Sequence, residues 1–146
     1  SDVDAKKAYS DYLRTKGYEN IKIISSPADI SAEKNGDNFY FEIKKTSRKD
    51  VYFGAATLTE WVGALQNKSN YFFVVAISLG NEEWKFKEYT PDEFINFSTI
   101  PPFKIFFSLP ISNEEKAKKR KNRSAVQLTE EKIYKLKDVY DDLKES

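Results

Sequence analysis

Apolar side chains recur every three or four residues in several parts of this chain, which is the spacing of a half-buried helix. Val3–Lys16 has this pattern and is followed by Gly17, so a first helix is predicted to end there. A second helix is predicted from about Leu58 to Gln66, because Thr57 and Glu60 form a capping box at its start. The same reasoning predicts a short helix opened by Thr90-Pro91-Asp92-Glu93 and a C-terminal helix opened by Leu128-Thr129-Glu130-Glu131.

Other stretches are rich in β-branched and aromatic residues and predict strands. Tyr71–Ile77 is a continuous apolar run, as expected of a central strand that is covered on both faces. The pair Asn35-Gly36 joins two arms near Asp29–Glu33 and Asn38–Lys45 and predicts a β-hairpin. Shorter strands are predicted at Ile21–Ile24, Trp84–Tyr89 and Phe103–Phe107. The chain is therefore predicted to be α/β, with a central mixed β-sheet flanked by helices and a C-terminal extension that ends in a helix.

The Asn35-Gly36 pair also predicts how the two arms pair, if it forms a two-residue type I′ turn. Lys34 then lies opposite Asp37, and counting outward along the arms brings Asp29 opposite Glu42. Alternation along the strands sends their side chains to two different faces. The predicted apolar face carries Ile30, Ala32, Phe39, Phe41 and Ile43, and the opposite face carries Asp29, Ser31, Tyr40, Glu42 and Lys44.

Asp29 and Glu42 are thus expected to be cross-strand neighbours, with Cβ atoms about 5 Å apart. Like charges in such positions destabilise a sheet, and a divalent cation would turn their repulsion into coordination. Mg²⁺ is typically held by one or two carboxylates together with waters and phosphate oxygens. Lys44, on the same face, would stabilise charge on a phosphate, or position and help to deprotonate an attacking water. These groups suit phosphodiester hydrolysis; the alternative is an ordinary charged surface on an edge hairpin.

The composition narrows the chemistry that the chain can perform. It has no Cys and no His, which excludes zinc fingers, thiol nucleophiles, Ser-His-Asp triads and histidine-based metal sites. Carboxylates, lysines, hydroxyls and amides must therefore carry any catalysis. The formal net charge is only +1, but Lys116–Arg123 is a dense basic run that could track a nucleic-acid backbone by counterion release. A surface loop is the alternative interpretation of that run.

Length and hydropathy set expectations about domains and location. At 146 residues the chain is long enough for a single domain, with a core at about 3–77 and an extension at 78–146. The sequence has neither an apolar segment long enough to span a membrane nor the apolar core of a signal peptide, which predicts a cytoplasmic protein. Because the chain has no Met, we expect it to be excised from, or part of, a larger protein.

The stretch Pro27-Ala28-Asp29, followed by Glu42-Ile43-Lys44, resembles the split motif of the PD-(D/E)xK nuclease superfamily. The predicted order of elements, αβββαβ over about Val3–Ile77, is similar to the restriction-endonuclease-like core of that superfamily. The segment from Tyr40 to Trp61 is also similar to nuclease-like domains of bacterial restriction and defence proteins, including Mrr-like ones. One departure is that the motif begins Pro-Ala-Asp where the superfamily has Pro-Asp.

The resemblance implies a metal-dependent endonuclease that hydrolyses DNA in a restriction or phage-defence system. Asp29, Glu42 and the backbone carbonyl of Ile43 would hold Mg²⁺, for which Mn²⁺ would substitute, and Lys44 would be the catalytic lysine. Gln66 matches a Gln of the RecB-like branch, although the aromatic residue expected four positions later is Tyr71, five positions later. The alternatives are an inactive nuclease-like module that binds nucleic acid or a protein partner, and an endonuclease that acts on RNA.

Basic residues predict further contacts with nucleic acid. Lys45, Arg48 and Lys49 follow the motif strand, where a phosphate backbone could pass, although a solvated turn explains them equally well. In the basic run Lys116–Arg123, the candidate nucleic-acid contacts are Lys118, Lys119, Arg120 and Lys121.

Cutting both strands of DNA usually needs two active sites, so a homodimer or a neighbouring domain is also expected.

Overall fold

The computed structural model describes residues 2–113 and Leu136. The chain divides into two compact units, Ser1–Thr99 and Ile100–Ser146. The first unit contains three α-helices and five β-strands in the order predicted from the sequence. They are α1 (Asp2–Thr15), β1 (Glu19–Ile23), β2 (Ile30–Lys34), β3 (Asp37–Thr46), α2 (Leu58–Asn67), β4 (Tyr71–Gly80), β5 (Glu83–Tyr89) and α3 (Pro91–Phe94).

The helices begin and end at the signals that predict them. At the start of α2, the Thr57 side chain accepts a hydrogen bond from the Glu60 backbone N–H, and the Glu60 side chain accepts one from the Thr57 backbone N–H. α3 has the same capping box and carries Pro91 at its start. After α1 the chain turns at Gly17, whose φ of 89° is a left-handed conformation that suits a residue without a Cβ. The three helices predicted in this unit are confirmed.

The five strands form one sheet in the order β1-β2-β3-β4-β5. β3 and β4 are parallel and are connected through α2, whereas all other neighbouring strands are antiparallel. This mixed sheet, flanked by helices, confirms the predicted α/β class. The sheet continues beyond Ile77, because β5 adds an antiparallel edge strand to β4.

β3 is longer than its partner β2, and the difference creates an open edge inside the sheet. The pairing of β2 with β3 ends where Ile30 lies opposite Phe41, whereas β3 pairs with β4 as far as Thr46. Residues 42–46 therefore have a strand on one side only. The predicted motif residues Glu42 and Lys44 lie in this part of β3.

α1 covers one face of the sheet, which we call the α1 face. Tyr9 and Leu13 of the helix are fully buried there against Phe41 and Val74 of the two parallel strands. The Tyr9 ring lies 5.3 Å from the Phe41 ring between centroids. Tyr9 and Phe41 are the aromatic residues among the fully buried members of this cluster. The other buried members of this cluster are Ile30 and Ala32.

α2 and α3 cover the opposite face, which we call the α2 face. Tyr71 and Phe73 of β4 are buried there against Ala64 of α2, with Trp61 and Phe94 packed around them. Trp61 thus contributes to the core. α2 lies close to the chain before β2, since a Cβ on Gly63 would stand only 3.0 Å from Pro27 Cβ. This close approach fixes α2 beside the segment that carries Asp29.

Some predictions concern the second unit. The prediction that Phe103–Phe107 forms a strand is wrong, because this segment makes no strand pairing with the described residues. Pro101 and Pro102 lack backbone N–H donors, and the β propensity of aromatic residues reflects packing on an existing sheet. The basic run Lys116–Arg123 lies outside the described residues, as does the predicted C-terminal helix apart from Leu136, which is helical. Nowhere in residues 2–113 is there a helix with the length and apolarity needed to cross a membrane.

Candidate active site

The predicted register of the hairpin is confirmed. Lys34 lies opposite Asp37, and the pairing continues without a shift to Ile30 and Phe41. Asp29 directly precedes β2, and its backbone N–H donates to the Phe41 carbonyl at 3.1 Å. Asp29 is therefore held beside the part of β3 that extends beyond β2.

Asp29, Glu42 and Lys44 line an open cavity of about 320 Å³ at this edge. Alternation places Glu42 and Lys44 on the α2 face, while α1 approaches the cavity from the other side of the sheet. Charged side chains dominate the lining. Its members are Lys6, Asp29, Glu42, Ile43, Lys44, Lys45, Tyr52 and Ala55.

The Asp29 carboxylate takes the place of a missing strand partner. Its Oδ2 accepts a hydrogen bond of 2.8 Å from the Ile43 backbone N–H, which β2 is too short to reach. Its Oδ1 lies 3.3 Å from the Lys6 ammonium of α1. The side chain is therefore fixed through one oxygen and paired with a cation through the other.

Lys44 is held between two carboxyl groups. Its Nζ donates to Glu60 Oε1 at 2.7 Å and lies 3.6 Å from Glu42 Oε2. The same Glu60 oxygen accepts the Thr57 backbone N–H at 2.9 Å. One carboxylate thus closes the N-terminus of α2 and positions the ammonium of the motif lysine.

Glu42 is the most buried carboxyl group in the cavity, with 6% of the residue exposed. Burial raises its pKa from 4.5 to about 9, helped by a hydrogen bond with Glu60 and by the charge of Asp29, while Lys44 opposes the change. The fold therefore disfavours the ionised form of Glu42.

The neighbours of Glu42 are charged. Burial alone would raise the pKa of Glu60, but its hydrogen bonds with Glu42, Lys44 and the Thr57 backbone lower it below its usual value. Burial alone would likewise lower the pKa of Lys44, but the hydrogen bond and charge of Glu60 and the charges of Glu42 and Asp29 raise it above its usual value. Lys44 is thus held as an ammonium.

The other basic residues predicted to contact nucleic acid are placed differently. Lys45 lines the cavity. Arg48 and Lys49 are exposed in the loop after β3, and the Arg48 guanidinium donates to Asp50 Oδ1 at 3.3 Å. Gln66 is exposed near the end of α2 and is not part of the cavity lining. Lys118, Lys119, Arg120 and Lys121 lie outside the described residues.

Sequence reasoning missed two residues of the site, Lys6 and Glu60. Glu60 was recognised only as a helix cap, and its second role depends on where α2 lies over β3. Lys6 stands beside the apolar stripe of α1, next to the buried Ala5, and periodicity alone assigns such a position to the solvent. In both cases the signal is a tertiary contact with no local pattern in the sequence.

The donor groups of the cavity match the preferences of a hard divalent cation. Asp29, Glu42 and the Ile43 backbone would supply two carboxylates and one carbonyl, all oxygen ligands, and Mg²⁺ completes such a set with waters and phosphate oxygens. A dication beside the buried Glu42 would favour the ionised form of its carboxyl group. Within residues 2–113, no three acidic side chains are arranged to hold a metal ion by themselves.

Comparison with known proteins yields no relative from which a role could be transferred. No protein-family model, no curated protein and no solved structure matches this chain. The function must therefore be inferred from the cavity and its residues.

Proposed function

We propose that this protein is a metal-dependent endonuclease that hydrolyses phosphodiester bonds of DNA, of the kind found in restriction and phage-defence systems. The observation that carries the proposal is the convergence of Asp29, Glu42 and Lys44 on one open cavity. The motif resemblance to PD-(D/E)xK nucleases and the αβββαβ order of the elements support it.

Asp29 and Glu42 would bind the cation together with the Ile43 carbonyl, and Mg²⁺ would be the physiological ion. When bound, such an ion offsets charge on phosphate oxygens and favours ionisation of water at neutral pH. The hydrogen bond from the Ile43 N–H keeps Asp29 in position before any cation arrives. Preorganisation of this kind lowers the cost of assembling the site.

Lys44 would act as a fixed positive charge beside the scissile phosphate. Of the two roles considered for it, stabilising charge and deprotonating water, the raised pKa favours the first. An ammonium held by Glu60 can donate to a phosphate oxygen or orient an attacking water, but it holds no free lone pair with which to accept a proton. Glu60 would then be a positioning residue.

One observation favours the alternative of a module that binds a partner without cleaving it. In the cavity, Lys6 pairs with Asp29 at 3.3 Å and Lys44 pairs with Glu60 at 2.7 Å, and burial disfavours the ionised form of Glu42. Asp29 and Glu60 therefore each have a cationic partner within the protein itself. A cluster that never takes up a cation would serve only to join α1, α2 and the hairpin.

A cleavage assay tests the proposal. The purified protein is incubated with supercoiled plasmid, single-stranded DNA and RNA, each with Mg²⁺, with Mn²⁺ and with EDTA. Glu42→Gln and Lys44→Met preserve side-chain size, and each should lower the cleavage rate by a factor of about 100 or more, comparable to the loss of one transition-state donor. Glu83→Gln and Lys85→Met on β5 make the same chemical changes at exposed positions and should cleave like the wild type.

The outcomes separate the candidates. Metal-dependent cleavage of DNA that both cavity variants lose would support the nuclease and its site. Full activity in either cavity variant would show that the site is assigned wrongly, and preference for RNA would transfer the proposal to that substrate. Absence of cleavage, together with absence of thermal stabilisation by Mn²⁺, would favour the binding module, because a ligand that binds the folded state must stabilise it.

A further inference from the structure

We infer that Lys6 competes with the divalent cation for Asp29 and, once displaced, binds a phosphate of the substrate. The inference rests on the proposed function and adds to it a substrate-contacting residue outside the motif. It starts from the ion pair of 3.3 Å between Lys6 Nζ and Asp29 Oδ1, two groups that both line the cavity.

The two oxygens of Asp29 differ in what they can offer a cation. Oδ2 accepts the Ile43 backbone N–H at 2.8 Å, and this bond supplies a partner for a group at the open edge of β3. Oδ1 lies 3.3 Å from the ammonium of Lys6. A cation that takes Oδ1 as its ligand therefore meets the Lys6 ammonium at the same atom, and the two positive charges repel each other.

The backbone of Lys6 is fixed, whereas its side chain can move. Ala5 and Tyr9, on either side of it in α1, are fully buried, and Ser10 Oγ donates to the Lys6 carbonyl at 2.8 Å. The Lys6 side chain is 27% exposed and ends at the cavity. A lysine has a flexible four-carbon stem, so its ammonium can leave Asp29 without any movement of the helix.

Lys6 and Lys44 reach the cavity from opposite faces of the sheet. Lys6 comes from the helix that covers the α1 face, while Lys44 points to the α2 face and pairs there with Glu60 of α2. A phosphodiester in the cavity has two non-bridging oxygens and would meet one ammonium on each side. A displaced Lys6 therefore finds a new anionic partner in the substrate.

The first test measures cation binding without any reaction. Mn²⁺ is titrated calorimetrically into the wild type, Lys6→Met, Lys6→Arg and Lys7→Met, where Lys7 is the exposed neighbour on the same helix. Lys6→Met should bind Mn²⁺ roughly two- to fivefold more tightly than Lys7→Met, the change expected when a partly exposed ion pair no longer competes. Lys6→Arg keeps the charge and should bind like the wild type.

The result that overturns the competition is equal or weaker binding by Lys6→Met relative to Lys7→Met. Weaker binding would mean that Lys6 merely orients Asp29. If the wild type binds Mn²⁺ and only this comparison fails, the proposed nuclease site stands and the inference about Lys6 falls. If neither the wild type nor Lys6→Met binds Mn²⁺, the cation site of the proposed function falls with it.

The second test addresses the phosphate. Binding of a short DNA duplex is measured by fluorescence anisotropy against salt concentration, in a Lys44→Met background in which cleavage is slowed. With Mn²⁺ present, Lys6→Met should reduce the slope of log affinity against log salt by about 0.9, as expected for one lost phosphate contact. With EDTA, where Asp29 holds Lys6, its effect should equal that of Lys7→Met. An equal effect of Lys6→Met with and without Mn²⁺ would rule out the displacement.

Discussion

The α1 face and the α2 face of β3 are built from alternate residues of one strand, yet they are stabilised in different ways. On the α1 face, Phe41 is buried among Tyr9, Leu13 and Val74, and its position depends on apolar contact. On the α2 face, Glu42 is almost as buried, but its neighbours are ionisable groups. Burial therefore stabilises the fold on one side and opposes ionisation on the other.

The difference separates residues whose burial stabilises the fold from residues whose positions are imposed by the fold. Removing water from Phe41 is favourable, whereas removing water from Glu42 costs free energy unless it is protonated or paired. The Asn35-Gly36 turn sets the register that places Glu42 at the open edge, and burial of the apolar α1 face stabilises that register. The apolar contacts of the α1 face therefore stabilise the fold, which in turn holds the buried Glu42 in place.

The largest effect is expected on the α1 face. Phe41→Ala should lower the free energy of unfolding by about 3–5 kcal/mol, because it leaves a cavity among aromatic rings that cannot close. Urea unfolding followed by tyrosine and tryptophan fluorescence measures the change. Phe53→Ala, at a position that is 95% exposed, is the matched control and should change stability little. A loss below about 1 kcal/mol for Phe41→Ala would contradict the assignment of the core.

The next effect concerns the charged face and depends on pH. In the metal-free fold the pKa of Glu42 is raised from 4.5 to about 9, so the folded state keeps a proton that the unfolded state has released. Stability should therefore fall as pH rises through this window, by at most about 1.4 kcal/mol per pH unit. The pKa of Glu60 is lowered from its usual value and that of Lys44 is raised, so both groups change their charge outside this pH range.

Glu42→Gln removes the titrating group and should flatten this dependence. Urea unfolding in EDTA at about pH 5 and about pH 8 compares the variant with the wild type and with Glu83→Gln on β5, which should keep the wild-type slope. Glu42→Gln should also be more stable than the wild type at the higher pH. If wild type and variant have the same slope, Glu42 is ionised in the fold and the contrast between the faces is weaker than proposed.

A smaller effect is expected from a polar contact on the α1 face. The Tyr9 hydroxyl donates to Glu88 Oε1 at 2.7 Å, and burial together with the charge of Glu88 raises the pKa of Tyr9 well above its usual value. Tyr9→Phe keeps the ring contacts and should cost about 1.5 kcal/mol, typical of a hydrogen bond to a charged group. Tyr12→Phe on the same helix serves as the control for loss of a hydroxyl. An unchanged unfolding midpoint for Tyr9→Phe would show that water replaces the bond.

The smallest effect separates the two roles of Glu60. Thr57→Ala removes the helix cap and should cost about 1 kcal/mol of stability while leaving the contact between Lys44 and Glu60. Glu60→Gln preserves the cap, since Gln also serves at this position, but removes the negative charge from Lys44. Cleavage rate and unfolding midpoint are measured together for both variants. Thr57→Ala should lower mainly stability and Glu60→Gln mainly cleavage; the reverse pattern would make Glu60 a cap only.

Much of the fold could be predicted because its signals are local. The turn at Asn35-Gly36 sets the register of the hairpin through its own backbone conformation, and Asn35 and Gly36 do adopt positive φ values of 53° and 84°. The capping box of α2 is likewise contained in four consecutive residues. From such features the sequence predicts the order of elements in the first unit and brings Asp29 to Glu42.

The segment Phe103–Phe107 shows where local signals end. Its composition is that of a strand, but a strand needs a neighbour with unpaired backbone groups in the right direction. The residues close to this segment in the sequence do not show whether such a neighbour exists. Strand propensity alone was therefore not enough to form a strand at Phe103–Phe107. Tyr71–Ile77 does form a strand, because β3 and β5 lie on either side of it.

By itself, then, the sequence determined the helices and strands of the first unit, the register of the hairpin and the motif residues that share one face of it. Only the tertiary structure decided that β3 extends beyond β2, that Lys6 of α1 pairs with Asp29, and that Glu60 holds Lys44. The physical reason is the separation along the chain between the residues that interact. Turns and caps are decided by hydrogen bonds between residues a few positions apart, whereas the charge balance of the cavity arises from groups brought together by the packing of two helices on opposite faces of one sheet.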